Sequence, residues 1–299
     1  MILAVVQEKG GVGKTTTVIN LGAWLGKLGR RTLLVDLDPQ GNLAKGLGVA
    51  VAGGAMYRVF RDPAFPLAEA IVPTGLPNLD VAPADAGLEA AEIELIHRLS
   101  RESVLRRKIE ADGLRERYDH LVLDCRPSLG ALTVNAMVAA DKLLIPVETQ
   151  YFAVEGLQTL LDVVRTVRET LHPGLEIAGI VPTKHEPRVR VCQATLGLLR
   201  ERFPDLLTRT VIRKYVAFPE AQLRGEPIYT VAPGTDAAEA YRALALEIDG
   251  VTPAGEAASP STPAAPDGQG RGNGAARTRG VAGAAHVAQP ALPIEEGVN

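Results

Sequence analysis

The sequence predicts an α/β fold: a doubly wound, mostly parallel sheet with helices on both faces. Seven short apolar runs have the pattern of buried parallel strands, and segments with apolar residues at helical spacing separate most of them. With 46% apolar residues among 299, the chain can bury one large core of this type. The strand-like runs cover residues 2–7, 32–35, 79–82, 120–123, 142–146, 177–182 and 208–212.

A glycine-rich loop follows the first run and precedes a helical pattern. Residues 9–17 read Lys-Gly-Gly-Val-Gly-Lys-Thr-Thr-Thr. At a helix N-terminus such a loop offers free N–H groups to phosphate oxygens, Lys14 reaches the outer phosphates, and the Thr15 hydroxyl ligates Mg²⁺. We therefore expect a nucleoside triphosphate site. Its expected binding residues are Lys9, Gly10, Gly11, Val12, Gly13, Lys14, Thr15 and Thr16.

Two carboxylates follow the second run, where residues 36–42 read Asp-Leu-Asp-Pro-Gln-Gly-Asn. The carboxyl ends of parallel strands meet at one edge of a sheet, so Asp36 and Asp38 are expected beside the phosphate loop. There they could hold a magnesium shell and orient an attacking water. An Asp-Pro-Gln-Gly turn without catalytic function is the alternative.

A third acidic residue, Asp124, ends the apolar run at 120–123 and precedes Cys125-Arg126-Pro127-Ser128. An aspartate in this position holds Mg²⁺ in many nucleotide hydrolases, through a water molecule. A lone aspartate after a strand is more often a helix cap, so the assignment of Asp124 as a metal ligand depends on the other two motifs.

Positive charge is concentrated in residues 184–214, although the whole chain has a net charge of −3. This segment holds eight Lys or Arg against three acidic residues, a net charge of +5. A basic patch on an acidic protein favours a polyanion bound through its phosphates, while a solvated helix face is the alternative. We expect nonspecific DNA contacts from Lys184, Arg188, Arg190 and Lys214.

Composition separates a folded part from a tail. Residues 251–299 are rich in Ala, Gly and Pro and contain no aromatic residue, which predicts disorder after a domain over 1–250. No charged and apolar leader precedes the first run and no apolar run reaches about 18 residues, so we expect a cytoplasmic protein. Cys125 and Cys192 are expected to be buried structural thiols.

The loop with its additional first lysine resembles the deviant Walker A motif, KGGxGK[ST], of the ParA/MinD family of ATPases. Residues 36–42 are similar to the family's switch I pattern, and 121–128 to its Walker B and switch II segment. Residues 77–96, 132–161 and 237–248 also resemble ParA or Soj partition ATPases, so the similarity covers about 1–248. No DNA-reading helix-turn-helix precedes the loop, as in the short, Soj-like form.

The resemblance implies a P-loop NTPase fold, with ATP and Mg²⁺ as cofactors. It implies that Lys9 acts across a homodimer on the partner's nucleotide, that Lys14 contacts the phosphates, and that Asp38 positions the hydrolytic water. It also implies ATP-dependent nonspecific DNA binding, a ParB-like partner that stimulates hydrolysis, and a nucleoid-associated protein without membrane attachment. Thr183 and Arg213, after later strands, are expected to contact the nucleotide.

The chain departs from the family pattern at several positions. Arg126 replaces the first proline of Asp-Cys-Pro-Pro-Ser, which puts the movement of switch II in doubt. In the segment similar to VIPRNVRLSEA, Lys214 occupies the place of the first arginine and Ala217 that of the second. A lysine still meets a phosphate as a point charge but lacks the bidentate fork.

Three alternatives differ in observable properties. A MinD-like membrane-cycling ATPase needs a basic amphipathic C-terminal helix, which the tail lacks. An iron-protein-like reductase needs two cluster-bridging cysteines from each subunit, and Cys192 lacks that context. A non-enzymatic scaffold conflicts with the intact Lys14, Asp38 and Asp124. ATP is favoured over GTP, because the Thr-Lys-His-Glu at 183–186 only faintly resembles a guanine-reading motif.

Overall fold

The computed structural model describes residues 1–51, 53–150 and 153–250. Within these ranges one seven-stranded sheet has the order β3-β4-β2-β5-β1-β6-β7, and only the β3–β4 pair is antiparallel. The strands are β1 (Ile2–Val5), β2 (Thr32–Asp36), β3 (Val72–Pro73), β4 (Leu79–Ala82), β5 (His120–Asp124), β6 (Lys142–Glu148) and β7 (Glu176–Thr183). The predicted fold class is confirmed. The predicted tail, 251–299, lies outside the described residues.

Helices connect the strands and cover the sheet. In the described ranges they are α1 (Lys14–Lys27), α2 (Asn42–Gly46), α3 (Ala55–Arg61), α4 (Leu88–Leu95), α5 (Val104–Ala111), α6 (Leu114–Arg117), α7 (Ala131–Ala139), α8 (Ala153–Thr170), α9 (Arg190–Arg202), α10 (Ala217–Arg224), α11 (Ile228–Val231) and α12 (Asp236–Asp249). None of them is both long and apolar enough to span a membrane.

Alternate residues of every strand except the edge strand β3 enter two separate cores. In β1, Ile2 and Ala4 pack into one core, and Leu3 and Val5 pack into the other. The first core contains the buried faces of helices α3 to α8, and the second contains those of α1 and α12. Because side chains of a strand alternate between its faces, a sheet buried on both sides has continuous apolar strands.

The prediction of a strand at 208–212 is wrong. The segment runs beside β7, and the Thr208 N–H donates to it at 2.9 Å, yet no regular ladder forms. Pro182 in β7 has no N–H to donate. The Glu247 carboxylate of α12 takes the N–H of Arg209 at 2.8 Å and that of Thr210, which a regular ladder would direct to β7, at 3.2 Å. Competing side-chain bonds thus replace the ladder.

The sheet still has seven strands because it includes β3, which the sequence pattern did not indicate. Its two residues pair antiparallel with β4 at the sheet edge. A two-residue strand that ends in Pro73 carries no periodicity to detect, and proline in a sheet is confined to edges and strand ends.

Strand register brings the acidic motifs together. Asp36 ends β2 and lies directly opposite Asp124, which ends β5. Strand β1 pairs with β5 on its other side, so the loop after β1 lies over the same edge. The tertiary structure therefore places three predicted motifs at one end of the sheet.

Candidate nucleotide site

The phosphate loop joins β1 to α1 with backbone that only glycine adopts easily. Gly11 has φ 75° and Gly13 has φ 93°, values that L side chains rarely take. Gly13 is the N-cap of α1 and has no side chain that could cap the helix. The N–H groups of the first turn therefore face the loop without a capping side chain, which is the arrangement that binds phosphate.

Lys14 is buried at the start of α1, with 6% of its surface exposed. Its Nζ donates to the carbonyl of Lys9 at 3.4 Å, across the loop. Burial lowers the pKa of the Lys14 ammonium, and the nearby carboxylates of Asp124 and Asp38 oppose that shift. The Lys14 ammonium is partly desolvated and lies near two carboxylates, so it can exchange its present contacts for a strong interaction with a phosphate group.

Lys9 is bound within its own chain. Its Nζ lies 3.2 Å from Oε2 of Glu148 and donates to Oε1 of Gln150 at 3.0 Å. Both partners follow or end β6, at the same edge of the sheet as the phosphate loop. The Lys9 side chain is 53% exposed, so the pair is weak and readily exchanged. Glu148 and Gln150 were not among the predicted site residues, although their place at a strand end is a signal for them.

Asp36 organises the switch I segment, residues 36–42. It is fully buried, and its two oxygens accept the N–H groups of Asp38 at 3.0 Å and Leu43 at 3.3 Å. Burial and the neighbouring Asp124 raise the pKa of Asp36 well above its usual range. Because both carboxylate oxygens accept backbone N–H groups, Asp36 stabilises the conformation of the switch I segment.

Asp38 follows at the mouth of the site. It is partly exposed, and Oδ1 accepts the N–H of Gln40 at 3.1 Å. Its charge is close enough to raise the pKa of Lys14. A carboxylate near Lys14 and in contact with solvent is suited to orient a water molecule.

Asp124 is buried, and neither of its oxygens makes a well-formed hydrogen bond among the described residues, although the Thr15 hydroxyl lies near them. Burial raises the pKa of Asp124 to about 7, while the Thr15 hydroxyl and the Lys14 ammonium lower it. An unpartnered buried carboxylate is costly unless something binds it. Two free carboxylate oxygens near the Thr15 hydroxyl form a donor set that fits Mg²⁺.

Cys125 and Cys192 are both buried and unpaired with each other, as predicted. Burial raises the pKa of the Cys125 thiol, and the Asp124 carboxylate adds to that shift. A buried, protonated thiol is a poor metal ligand or nucleophile. Cys125 therefore contributes packing behind the site.

Thr183, predicted to contact the nucleotide, supports the phosphate loop instead of facing solvent. It is 2% exposed and its hydroxyl donates to the carbonyl of Val12 at 2.8 Å. This bond ties the end of β7 to the loop. Thr16 lies in the first turn of α1, and its carbonyl accepts from Asn20 at 2.8 Å.

Arg188, Arg213 and Lys214 line one cleft of about 410 Å³ beyond β7. Arg213 pairs with Asp236 at 3.8 Å, and Lys214 with Glu186 at 3.0 Å. All three side chains are exposed, so these ion pairs are weak. The structure brings together residues predicted separately for nucleotide and for DNA.

Lys184 and Arg190 are also exposed and flank this cleft in sequence. Lys184 has φ 49°, which directs the chain sharply after β7. Arg190 begins α9, whose last turn carries Arg200 and Arg202. Exposed cations on neighbouring elements form a surface that attracts polyanions.

Comparison with known proteins identifies the family. The model of an AAA domain family matches residues 1–177. Soj of Bacillus subtilis, a sporulation initiation inhibitor protein, is 43% identical over 249 residues, which cover 83% of this chain and 97% of Soj. The chromosome partitioning protein ParA of Caulobacter vibrioides is 41% identical over 83% of this chain and 93% of its own length. The chain belongs to the ParA/Soj family of partition ATPases.

Solved structures of several proteins have a similar fold. Cobyrinic acid a,c-diamide synthase of Mycobacterium smegmatis, with an ATP analogue and magnesium, is 32% identical with a TM-score of 0.69 and covers 82% of this chain and 92% of its own. MinD of Pyrococcus horikoshii with Mg-ADP is 25% identical with the same TM-score, over 83% and 95%. McdA of Cyanothece in complex with ATP, 24% identical with a TM-score of 0.76, shares the fold over 84% and 96%.

Proposed function

We propose that this ParA/Soj-family protein is an ATP-dependent dimerising ATPase that binds DNA nonspecifically and moves a chromosome or plasmid with a ParB-like partner. The observation that carries the proposal is the buried Asp124 carboxylate, whose two unpartnered oxygens lie beside Thr15 and Lys14 at the phosphate loop. The identity to Soj and ParA supports the partition role.

ATP occupies the phosphate loop in this proposal. The backbone N–H groups after Gly13 bind the phosphate oxygens, and Lys14 leaves the Lys9 carbonyl to meet the outer phosphates. Thr15 and Asp124 would hold Mg²⁺, which neutralises charge on the transferred phosphoryl group when bound. Asp38, at the exposed mouth, orients the attacking water.

Dimerisation uses Lys9, the additional lysine of the loop. Lys9 exchanges its contacts with Glu148 and Gln150 for phosphate oxygens of the partner subunit, as an arginine finger does. Its 53% exposure allows this exchange without unpacking a core. Hydrolysis removes the bridged phosphate and separates the subunits.

DNA binds the exposed basic surface formed by Lys184, Arg188, Arg190 and Lys214. Two copies of this surface in the closed dimer act together, so avidity makes DNA binding depend on ATP. The contacts are to phosphates and therefore sequence-independent and salt-sensitive. A nucleoid-associated location in the cytoplasm follows from this proposal.

DNA retention with and without ATP tests the proposal. The wild-type protein should retain a nonspecific DNA duplex with Mg·ATP and release it with Mg·ADP. Lys14→Ala should fail to retain DNA, because the variant cannot hold the outer phosphates of ATP and so does not form the ATP-bound dimer. Asp38→Ala should retain DNA and hydrolyse ATP poorly; normal hydrolysis by this variant would contradict the role of Asp38. DNA retention that is equal in ATP and ADP would contradict the switch.

A further inference from the structure

Arg126, which replaces a proline of the family pattern, has a specific partner in another element. Its guanidinium Nη1 forms an ion pair with Oε2 of Glu92 in α4. The two side chains are only 28% and 17% exposed. A charge pair that is largely shielded from water holds its geometry more firmly than a surface pair.

The same carboxylate reaches the other end of the switch II loop, residues 125–130. Oε1 of Glu92 accepts the backbone N–H of Leu132 at 3.5 Å, in the first turn of α7. Gly130, the N-cap of α7, gives no side-chain cap, and a Cβ there would overlap the Glu92 carboxylate. Glu92 thus supplies the negative charge that a helix N-terminus favours.

Between these two attachments the loop lies against the phosphate loop. A Cβ on Gly10 would be in contact with Pro127, at 4.0 Å. Ser128 Oγ and Arg126 Nε are buried and have no hydrogen-bond partner among the described residues, and the Asp124 oxygens have none either. Buried polar groups without partners are unfavourable, so other contacts must stabilise this loop conformation.

We propose that Glu92 and Arg126 form a clamp that positions the switch II loop for ATP hydrolysis. The inference rests on the proposed ATPase function. The clamp offsets the cost of the unpaired groups and fixes the loop against the phosphate loop, so the switch II loop does not reorganise when charge develops in the transition state. Arg126 is a positioning residue here, since its contact is with Glu92.

Steady-state ATP hydrolysis by Arg126→Gln and Glu92→Gln tests the clamp. Both variants should lower kcat on the order of tenfold with little change in KM, because an interaction that acts in the transition state is lost. The double variant should be no worse than either single variant, and Arg126→Lys should recover most of kcat. An unchanged or raised kcat, or a rise in KM alone, overturns the proposal.

Glu94→Gln is the matched control. Glu94 lies on the same helix and also pairs with an arginine, Arg61 of α3 at 2.9 Å, away from the switch II loop. This variant should leave kcat within about twofold of wild type. A loss of kcat equal to that of Glu92→Gln would show that any disturbance of α4 suffices, and would overturn the specific role of the clamp.

Hydrogen exchange of the full-length, nucleotide-free protein separates the clamp from the proposed function. Amides of residues 125–132 should exchange faster in Glu92→Gln and Arg126→Gln than in wild type or Glu94→Gln. Unchanged exchange overturns the clamp. If wild type does not hydrolyse ATP, the proposed function fails, and the positioning role, which rests on it, is overturned as well. If wild type and Glu94→Gln hydrolyse ATP and the two clamp variants match wild type in kcat and in exchange, the clamp fails and the proposed function stands.

Discussion

Asp124→Asn should stabilise the nucleotide-free protein while it removes magnesium-dependent function. The carboxylate is buried without a hydrogen-bond partner among the described residues, and it lies in register with a second buried carboxylate, Asp36. Burial outweighs the help from Lys14 and raises the pKa of Asp124. The amide has nearly the same shape and carries no charge, so the substitution relieves a penalty and creates no cavity.

The sign and the pH window follow from the two pKa values. The folded-state pKa of Asp124, about 7, lies above its ordinary value of 3.8, so the ionised group costs stability. The cost is absent below the ordinary value, grows as the pH rises between the two, and is complete above the folded-state value. A gain of about 2 kcal/mol at pH 8 is expected for removing a buried charge that Lys14 compensates only in part, and a smaller gain at pH 5.

Thermal unfolding in EDTA measures the effect, with fluorescence of the buried Trp24 as the probe. For a folded part of this size, about 2 kcal/mol corresponds to roughly 4–8 °C in Tm. Added Mg·ADP should raise the Tm of wild type by mass action and raise that of Asp124→Asn much less, because the variant lacks the proposed metal ligand.

Asp36→Asn is the matched control on the neighbouring strand. The Asp36 charge is also buried, and its pKa is raised, so an amide relieves a penalty here as well. Both Asp36 oxygens accept backbone N–H groups, however, and an amide can replace only one of them, which offsets that relief. Its Tm should fall below that of Asp124→Asn by an amount equivalent to about 1–3 kcal/mol. The reasoning is refuted if Asp124→Asn unfolds at or below the wild-type temperature at pH 8 in EDTA, or if the two variants are equally stable.

Three other substitutions test separate parts of the structure. Glu148→Gln removes the internal ion pair of Lys9, worth roughly 0.5–1 kcal/mol in each subunit at this exposure. Because a dimer gives up two such pairs, the variant should tighten the ATP-bound dimer about five- to thirtyfold by analytical ultracentrifugation, and a weaker dimer would contradict competition between the two contacts. Lys108→Met leaves the carbonyls of Asp62, Pro63 and Phe65 without their ammonium donor. The free energy of unfolding measured by chemical denaturation should therefore fall by about 2–3 kcal/mol, and an unchanged midpoint would show that these hydrogen bonds do not stabilise the fold. Lys214→Ala should reduce the slope of log K for DNA against log salt by about 1, whereas an unchanged slope would place Lys214 outside the DNA contact.

The fold could be predicted because each core strand is buried on both faces. Such strands can be recognised in the sequence as continuous apolar runs, for example 120–123, and six of the seven predicted runs are strands. Failures occurred at the two sheet edges. Val72–Pro73 is too short for a pattern. Residues 208–212 have a strand-like composition, but the Glu247 carboxylate takes the Thr210 N–H that a ladder would use, and no local pattern reports that contact.

The sequence by itself determined the phosphate loop, since a loop of adjacent residues carries its own geometry in Gly11, Gly13 and the helix that follows. It also identified Asp36, Asp38 and Asp124 through their places at strand ends. Their different environments were decided by the tertiary structure. Asp36 is saturated by backbone N–H groups, whereas Asp124 keeps two free oxygens, and only packing distinguishes the two.

Contacts between distant segments were decided by tertiary structure alone. Lys9 meets Glu148, Thr183 holds the carbonyl of Val12, and Glu92 pairs with Arg126. Each of these pairs joins residues far apart in the chain, and their proximity depends on strand order and helix packing. A single sequence records which groups are available, while the free energy of burying them together selects which groups meet.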